Sequence, residues 1–461
     1  MPNTVLNEII NKMLSENKYS TIKDILKEMN IVDAAQMIEN MDEESQVKLF
    51  RLLPKSLSAD VFSYLAPEAQ ETIVTSITNK EIHALVEEMF IDDAVDFLEE
   101  VPANVVTRVL AQTNPETREI INKFLSYPED SAGSLMTVEM AAFHEDTTVD
   151  EAIESLRKTA QDKETIETCF CIDSHRVLVG SLPLRKLIIA KPGTVIKDIM
   201  LNSEKLISVK TNDDRETVAE IVRKYDLLAV PVVDNEERLV GIITIDDVID
   251  VIQEENTEDF EKMALLLPSE DEYLKTGVLT LTKNRIIWLL ILMVSATFTG
   301  KIIEGFESKL AAIAGLTACI PMLMDTGGNA GNQASTLIIR GLALGSIQIK
   351  DYLKVLWKEI RVACICGLTL AAANFLRMQI LTRFFHSTAT TPVIMIVCIS
   401  MICAVIIAKT IGCSLPIIAK SLHLDPALMA GPMITTIVDA ITLLVYFGFA
   451  TLFISKGLLP M

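Results

Sequence analysis

Apolar positions over residues 1–125 recur at spacings of three and four: Leu49, Leu52 and Leu53, then Val86, Phe90, Val95 and Leu98. That is the α-helical period, and Pro54, Pro67 and Pro102 cut it into helices of about 10–15 residues. The phrases IVDAAQMIENM (31–41) and IDDAVDFLEEVP (91–102) echo each other. They predict a stack of helical hairpins built from weak repeats. Beyond residue 135 the pattern shortens. FCIDSHRVLVGSL and LAVPVVDNEERLVGIITI read as strands joined by hairpin turns, with DEAIESLRKT and RETVAEIVRKY as helices. Two successive units of about 55 residues are expected, each running helix, strand, turn, strand, helix.

A charged helical connector follows, QEENTEDFEKMALL, with a break at Pro268. Five apolar segments come next, near 286–306, 309–337, 357–379, 391–420 and 425–454. Each is long enough to cross about 30 Å of hydrocarbon as a helix. The second, fourth and fifth are over-long and should tilt, kink or run past the bilayer. Basic residues gather before the first segment (Lys283, Arg285) and between the second and third (Arg340, Lys350, Lys354, Lys358, Arg361), with Lys420 near the last connection. The opposite side has fewer: Lys309, Arg377 and Arg383. This bias orients the chain as a multi-pass protein of the plasma (inner) membrane, with its N-terminal half cytoplasmic and its C-terminus outside.

Charge sharpens the division. The 461 residues carry 41 Lys+Arg and 62 Asp+Glu. A mean hydropathy of +0.36 coexists with 22% charged residues because the two kinds of sequence are segregated. Residues 285–461 hold 13 basic and 7 acidic side chains, net +6, which leaves net −27 for residues 1–284. So acidic a half repels nucleic acid; it either stays solvated or gathers cations. MPNTVLNEII offers no apolar export signal, in keeping with a cytosolic acidic half. Of eight cysteines, Cys169 and Cys171 share a strand face. No second pair completes a zinc site, and a reducing compartment fits.

Two polar features lie within the apolar half. Asp439 sits in GPMITTIVDAITLLVYFGFATLF with at least eight uncharged residues on either side. An ionisable group at that depth is a functional candidate by default, set against a protonated structural Asp or one bonded to a threonine of another helix. Thr435 and Thr436 lie one turn earlier, after Gly431 and Pro432, and the proline is expected to free nearby carbonyls from the helix ladder. One carboxylate does not neutralise a divalent ion; two from a two-fold dimer do, and Mg²⁺ keeps much of its water on such sites. The second feature is TGGNAGNQ (326–333). Gly-rich or non-helical backbone at membrane depth is tolerated where it lines a wet cavity, so Gly327, Gly328, Asn329, Asn332 and Gln333 are expected along an ion path. Close helix packing through the glycines is the alternative. Asp325 and Glu359 near the predicted inner ends read equally as interfacial charges, and Lys409 as a snorkelling or paired one.

PMLMDTGGNAGNQASTLIIRGLALG (321–345), GFES (305–308), LDPALMAGPMITTIVDAITLLVYF (424–447) and LVGIITIDDVIDVIQEENTEDFEKM (239–263) resemble the MgtE family of magnesium channels and transporters over nearly the whole chain. The resemblance implies a multidomain membrane protein: an all-α acidic N-domain (1–130), two α/β cystathionine-β-synthase-type (CBS) domains (135–199 and 200–252), a connecting or plug helix (253–284) and a five-helix transmembrane domain (285–461). It implies a homodimer that conducts Mg²⁺ inward and is gated by cytosolic Mg²⁺, and that is not an enzyme. It implies Asp439, with backbone near Thr435, at hydrated Mg²⁺ in the pore. The sensor acids would be Asp92 and Asp96 in the N-domain; Asp214, Glu216, Asp226, Asp247 and Asp250 in the second CBS domain; and Glu255, Glu258 and Asp259 in the connector. Gly431 stands where some members carry Asn. Thr244 and Asp247 are the residues that would hold ribose or phosphate if ATP binds the CBS pair.

Physics supports such a gate independently. Facing carboxylates repel by about 1–4 kcal/mol per close pair, and a cation that binds only the packed state shifts the equilibrium toward it. Three other readings stand beside it: a broader Co²⁺, Mn²⁺ or Ni²⁺ transporter, a membrane-anchored nucleotide-sensing CBS regulator, and a membrane enzyme. No Cys or His adjoins Asp439 to favour softer metals. Five segments with an intramembrane Asp exceed an anchor's needs, and no HExxH, GxSxG or Walker loop is present.

Overall fold

The computed structural model of the chain describes residues 2–202, 206–269, 273–274, 276–311, 316–385 and 390–456. It forms two compact units, Met1–Gln253 and Glu254–Met461. The first unit opens with short helices: α1 (Pro2–Ser15), α2 (Tyr19–Glu28), α3 (Ile31–Glu39), α4 (Glu43–Leu52), α5 (Lys55–Ser63), α6 (Pro67–Ser76), α7 (Asn79–Val86), α8 (Ile91–Glu100), α9 (Ala103–Gln112) and α10 (Pro115–Phe124). None is long enough to persist alone in water, so packing of one apolar face holds each in place. α2 packs on α4, α3 on α5, α4 on α6, α5 on α7, α7 on α9 and α8 on α10, the expected hairpin stack. The two echoing phrases form α3 and α8 and bury the same register. Ala34, Ala35, Met37 and Ile38 are inside in one, and Ala94, Val95, Phe97 and Leu98 in the other.

After α11 (Ala132–Leu135) come the two α/β repeats. The first holds β1 (Met140–His144), α12 (Val149–Thr159), β2 (Thr165–Ile172), β3 (Leu178–Pro183), α13 (Leu184–Ile189) and β4 (Leu201–Asn202). The second holds β5 (Val209–Lys210), α14 (Arg215–Tyr225), β6 (Ala229–Val233), β7 (Leu239–Thr244) and α15 (Ile245–Met263). In each, a parallel pair (β1–β2, β5–β6) is joined by a crossover helix and an antiparallel hairpin follows. The two hairpin turns are built alike. Asp173 Oδ1 accepts the N–H groups of His175 and Val177, and Asp234 Oδ1 those of Glu236 and Arg238. Arg176 and Glu237 take positive φ, 64° and 60°. Cys169 and Cys171 are buried in the first repeat's core, where burial pushes both thiols up to about 12. The helical stack and the second repeat share one core: Val95 and Val105 join Val218, Val222, Val232, Ile243 and Val248.

Among the described residues the second unit contains five long helices: α16 (Val278–Ala311), α17 (Ile320–Ala343), α18 (Tyr352–Phe385), α19 (Thr391–Ser421) and α20 (Gly431–Ser455). Four stretches among the described residues are long and apolar enough to cross a membrane: Val278–Phe306, Ile349–Phe384, Thr391–Ser421 and Pro426–Ser455. α17 is not among them, because Asp325, its asparagines and its glycines dilute its apolar character; its 24 residues still measure about 36 Å as a helix. The expected division between connector and first span at 284–285 is no helix boundary, since α16 starts at Val278. Residues 312–315, inside the second expected segment, lie outside the described residues, as do 386–389. α19 packs on α17, α18 and α20, and α16 on α20.

Candidate functional site

TGGNAGNQ is helical throughout, in the middle of α17. Its glycines serve helix packing, the alternative reading of the phrase. Added side chains at Gly327 and Gly328 would strike Thr442 and Thr435 of α20, each at 2.8 Å. One at Gly331 would meet Ile434 of α20 and the Ala408 carbonyl of α19, and one at Gly412 would collide with the Gly331 backbone. Gly327 and Gly328, expected on the ion path, are thus buried between helices. The polar members point elsewhere. Asp325, Asn329, Gln333, Thr336 and Arg340 are all exposed, and their spacing puts them on one helical face. Asn329 donates to Asp325 Oδ1 at 3.0 Å. Asn332 is half-buried and accepts the Gly431 N–H at 3.1 Å.

Asp439 lies half-buried on α20, one turn beyond Thr435. Its Oδ1 is buried and has no hydrogen-bond partner among the described residues, a costly state for a carboxylate oxygen. Asp325 is its charged neighbour across the α17–α20 contact. The proline effect expected here does not arise. Pro432 stands in the first turn of α20, where its missing N–H disturbs no ladder bond. The Thr435 and Thr436 hydroxyls donate to the Gly431 and Pro432 carbonyls at 3.0 and 2.8 Å. The ladder continues to Ser455, so the Thr435 carbonyl has only its second lone pair to offer an ion. Gly431 adopts φ +47°, a conformation that glycine, and less readily Asn, allows. Lys409 and Glu359 form a buried ion pair between α19 and α18 at 3.7 Å, so Lys409 pairs and does not snorkel.

In the first unit carboxylates converge from four places. Asp92, Asp93 and Asp96 lie on α8, Asp60 on α5, Glu139 and Glu164 flank the first sheet, and Asp246, Asp247 and Asp250 open α15. Burial, then repulsion by Asp93, Asp247 and Glu164, lifts Asp92 well above the usual carboxylate range. Burial and then Asp247 raise Asp93 to about 7. The same causes, burial first and then Asp247, raise Asp96 to about 8. Burial and then Asp246 bring Glu164 to about 7. Asp247 is held to about 6: burial raises it, while the Thr244 hydroxyl donates to it at 2.7 Å and opposes the rise. Among the described residues no three acidic, His or Cys side chains close around one point tightly enough to cage a bare ion. Asp60, Asp93, Glu139, Glu164 and Asp246 were not foreseen; the Asp33–Asp93 equivalence of the echoing phrases was the signal for one of them.

The other expected sensor acids lie apart. Asp214 caps the start of α14, accepting the Glu216 N–H at 2.9 Å, and Asp226 ends that helix at φ 52°. Eleven residues separate the two by about 16 Å, so one chain does not bring both to one ion. Thr244 and Asp247 cap α15 through each other. In the second unit Glu258 is paired with Lys262 at 2.7 Å, and burial, then Asp425, raises Asp259. Glu255 shares that helix.

Residues 320–449 match the family described as MgtE, divalent cation transporter; residues 29–130 match the MgtE intracellular N domain and 196–254 the CBS domain. The magnesium transporter MgtE of Thermus thermophilus is 35% identical over 448 residues, which span 96% of this chain and 97% of that one. A crystal structure of the cytosolic domain of the Mg²⁺ channel MgtE in complex with ATP covers 52% of this chain and 98% of its own, at 36% identity and a TM-score of 0.50. The soluble part of a magnesium transporter covers 55% of this chain and 99% of its own, at 30% identity and a TM-score of 0.52. With identity spread across both units and all three domain types matched, the chain belongs to the MgtE family of divalent cation transporters.

Proposed function

We propose that this chain carries Mg²⁺ across a membrane, down its gradient and the membrane potential, through a path lined by α17 and α20. The observation that carries this reading is Asp439: a carboxylate on an apolar helix with a buried oxygen that no group among the described residues satisfies. A hydrated cation supplies the missing donors through its water. Two copies of the chain about a two-fold axis would bring two such carboxylates to one ion, with the Asp325–Asn329–Gln333 face of α17 wetting the path. The acidic half lies in the cytoplasm and the C-terminus outside.

The acids around Asp93, Asp96 and Asp247 act as the sensor. Their mutual repulsion disfavours close packing until Mg²⁺ enters among them, and the packed state closes the path. ATP, seen with a relative's cytosolic domain, is a second candidate ligand of the CBS pair, and Thr244 and Asp247 contact it only if their mutual cap opens. The deciding experiment is Mg²⁺ uptake into proteoliposomes by the native chain and Asp439→Asn. Uptake abolished by the substitution supports the α20 path; uptake at the native rate moves the path elsewhere.

A further inference from the structure

Contacts converge on the short segment that precedes α20. Lys262, in the last turn of α15, lies 2.8 Å from Asp425 Oδ2 and 2.7 Å from Glu258 Oε1. Asp425 Oδ1 accepts the Ala427 N–H at 2.8 Å and so starts the 3-10 turn Pro426–Met429. The carbonyl of Met263, the last residue of α15, faces Gly431 so closely that a Cβ there would come within 2.8 Å of it. The same segment is tied to α17: Ser335 donates to the Met429 carbonyl at 3.0 Å, and the Gly431 N–H donates to Asn332.

We infer that Lys262 and Asp425 latch the end of the connector helix to the base of α20, so that connector position is transmitted to the helix bearing Asp439. Among the described residues Lys262 is the cation at this joint, and Glu258, Asp259 and Asp425 surround it. With the ammonium in place the three carboxylates are held together. Without it they repel, and the connector end lifts away from the segment it rests on. The bonds to Asp425 and Glu258 are charge-assisted and partly shielded from solvent, the setting in which such bonds are strong. Gly431 permits the close seat because it has no side chain to hold the Met263 carbonyl away. This inference rests on the proposed gate; the latch itself is testable apart from it.

The test uses the full chain in proteoliposomes, with uptake measured against Mg²⁺ on the side of the acidic half. Asp425→Asn retains the cap, since Asn caps as well as Asp, and removes the charge. Lys262→Gln removes the other partner, and Lys262→Arg keeps it. In the Asn and Gln variants the Mg²⁺ concentration for half-inhibition should rise about tenfold, a typical coupling between sites, and in the Arg variant it should stay native. Native half-inhibition in both neutral variants overturns the latch, as does loss of uptake in all three, Lys262→Arg included. Independently, a Lys262→Cys, Asp425→Cys pair is oxidised and the cross-linked peptide quantified by mass spectrometry. Cross-linking should increase with Mg²⁺; none at any concentration, or equal amounts at all, overturns the proposal. A native chain whose uptake ignores Mg²⁺ would sink the gate, while the cross-link still reports whether the connector end seats on the segment before α20.

Discussion

Asp93, Asp96, Glu164 and Asp247 hold their protons to higher pH in the folded chain than an unfolded one would, at about 7, 8, 7 and 6. Between about pH 4, where unfolded carboxylates ionise, and these values the folded state binds more protons. Its stability therefore falls as pH rises through that window. The capping acids Glu81 and Glu151 are shifted the other way by the Thr78 and Thr148 N–H groups, and lose their contribution only below the usual carboxylate range. A chain of residues 1–253 freed of divalent ions should thus melt at higher temperature at pH 5 than at pH 8. Millimolar Mg²⁺ should narrow the difference. A melting temperature that climbs from pH 5 to pH 8 without Mg²⁺ would contradict this account of the cluster. Asp92, Asp96 and Asp247 were named from the sequence through the family resemblance. Glu139 and Glu164 were not, because only the folding of β1 and β2 brings them to Asp93 and Asp247.

At the scale of elements, α17 shows how one phrase serves two neighbours. Its glycines recur on the face that meets α19 and α20, and its acid and amides on the open face. The tightest crossing is Gly331 against Gly412, backbone to backbone. Gly412→Val should separate α17 from α19 and cost about 1–3 kcal/mol or more through overpacking. It should lower the melting temperature of the detergent-solubilised chain. Gly448→Ala, with nothing within 4 Å of the added carbon, should leave it unchanged or raise it slightly, as alanine favours helix. Equal melting temperatures for the two variants would deny the crossing its role. The glycine run itself was readable, but its partner Gly412 lies more than 80 residues away, and no local pattern marks it. The same is true of the pairing of Lys409 with Glu359.

For the whole molecule, the separation of net −27 from net +6 joins a strongly acidic half to an apolar, weakly basic one. Replacing Asp93, Asp96 and Asp247 together by Asn keeps the α15 cap in reach of an amide while removing three negative charges. Uptake by this variant should persist at Mg²⁺ levels that silence the native chain, with half-inhibition moved at least about tenfold. An unchanged response would assign sensing to other acids, such as those at the ends of α14.

Periodicity and charge alone determined the helical stack, the duplicated α/β repeat, the long apolar helices and the isolated Asp439. These are set by local propensity, by burial of one face, and by the cost of a charge in hydrocarbon, all of which act on neighbours along the chain. Only the tertiary structure decided that TGGNAGNQ stays helical, that Gly327 and Gly328 pack while Asn329 and Gln333 face outward, that Pro432 begins a helix instead of breaking one, and which acids share a field. Each of these depends on contacts between residues far apart in sequence, where shape and Coulomb interaction act across space and leave no periodic trace.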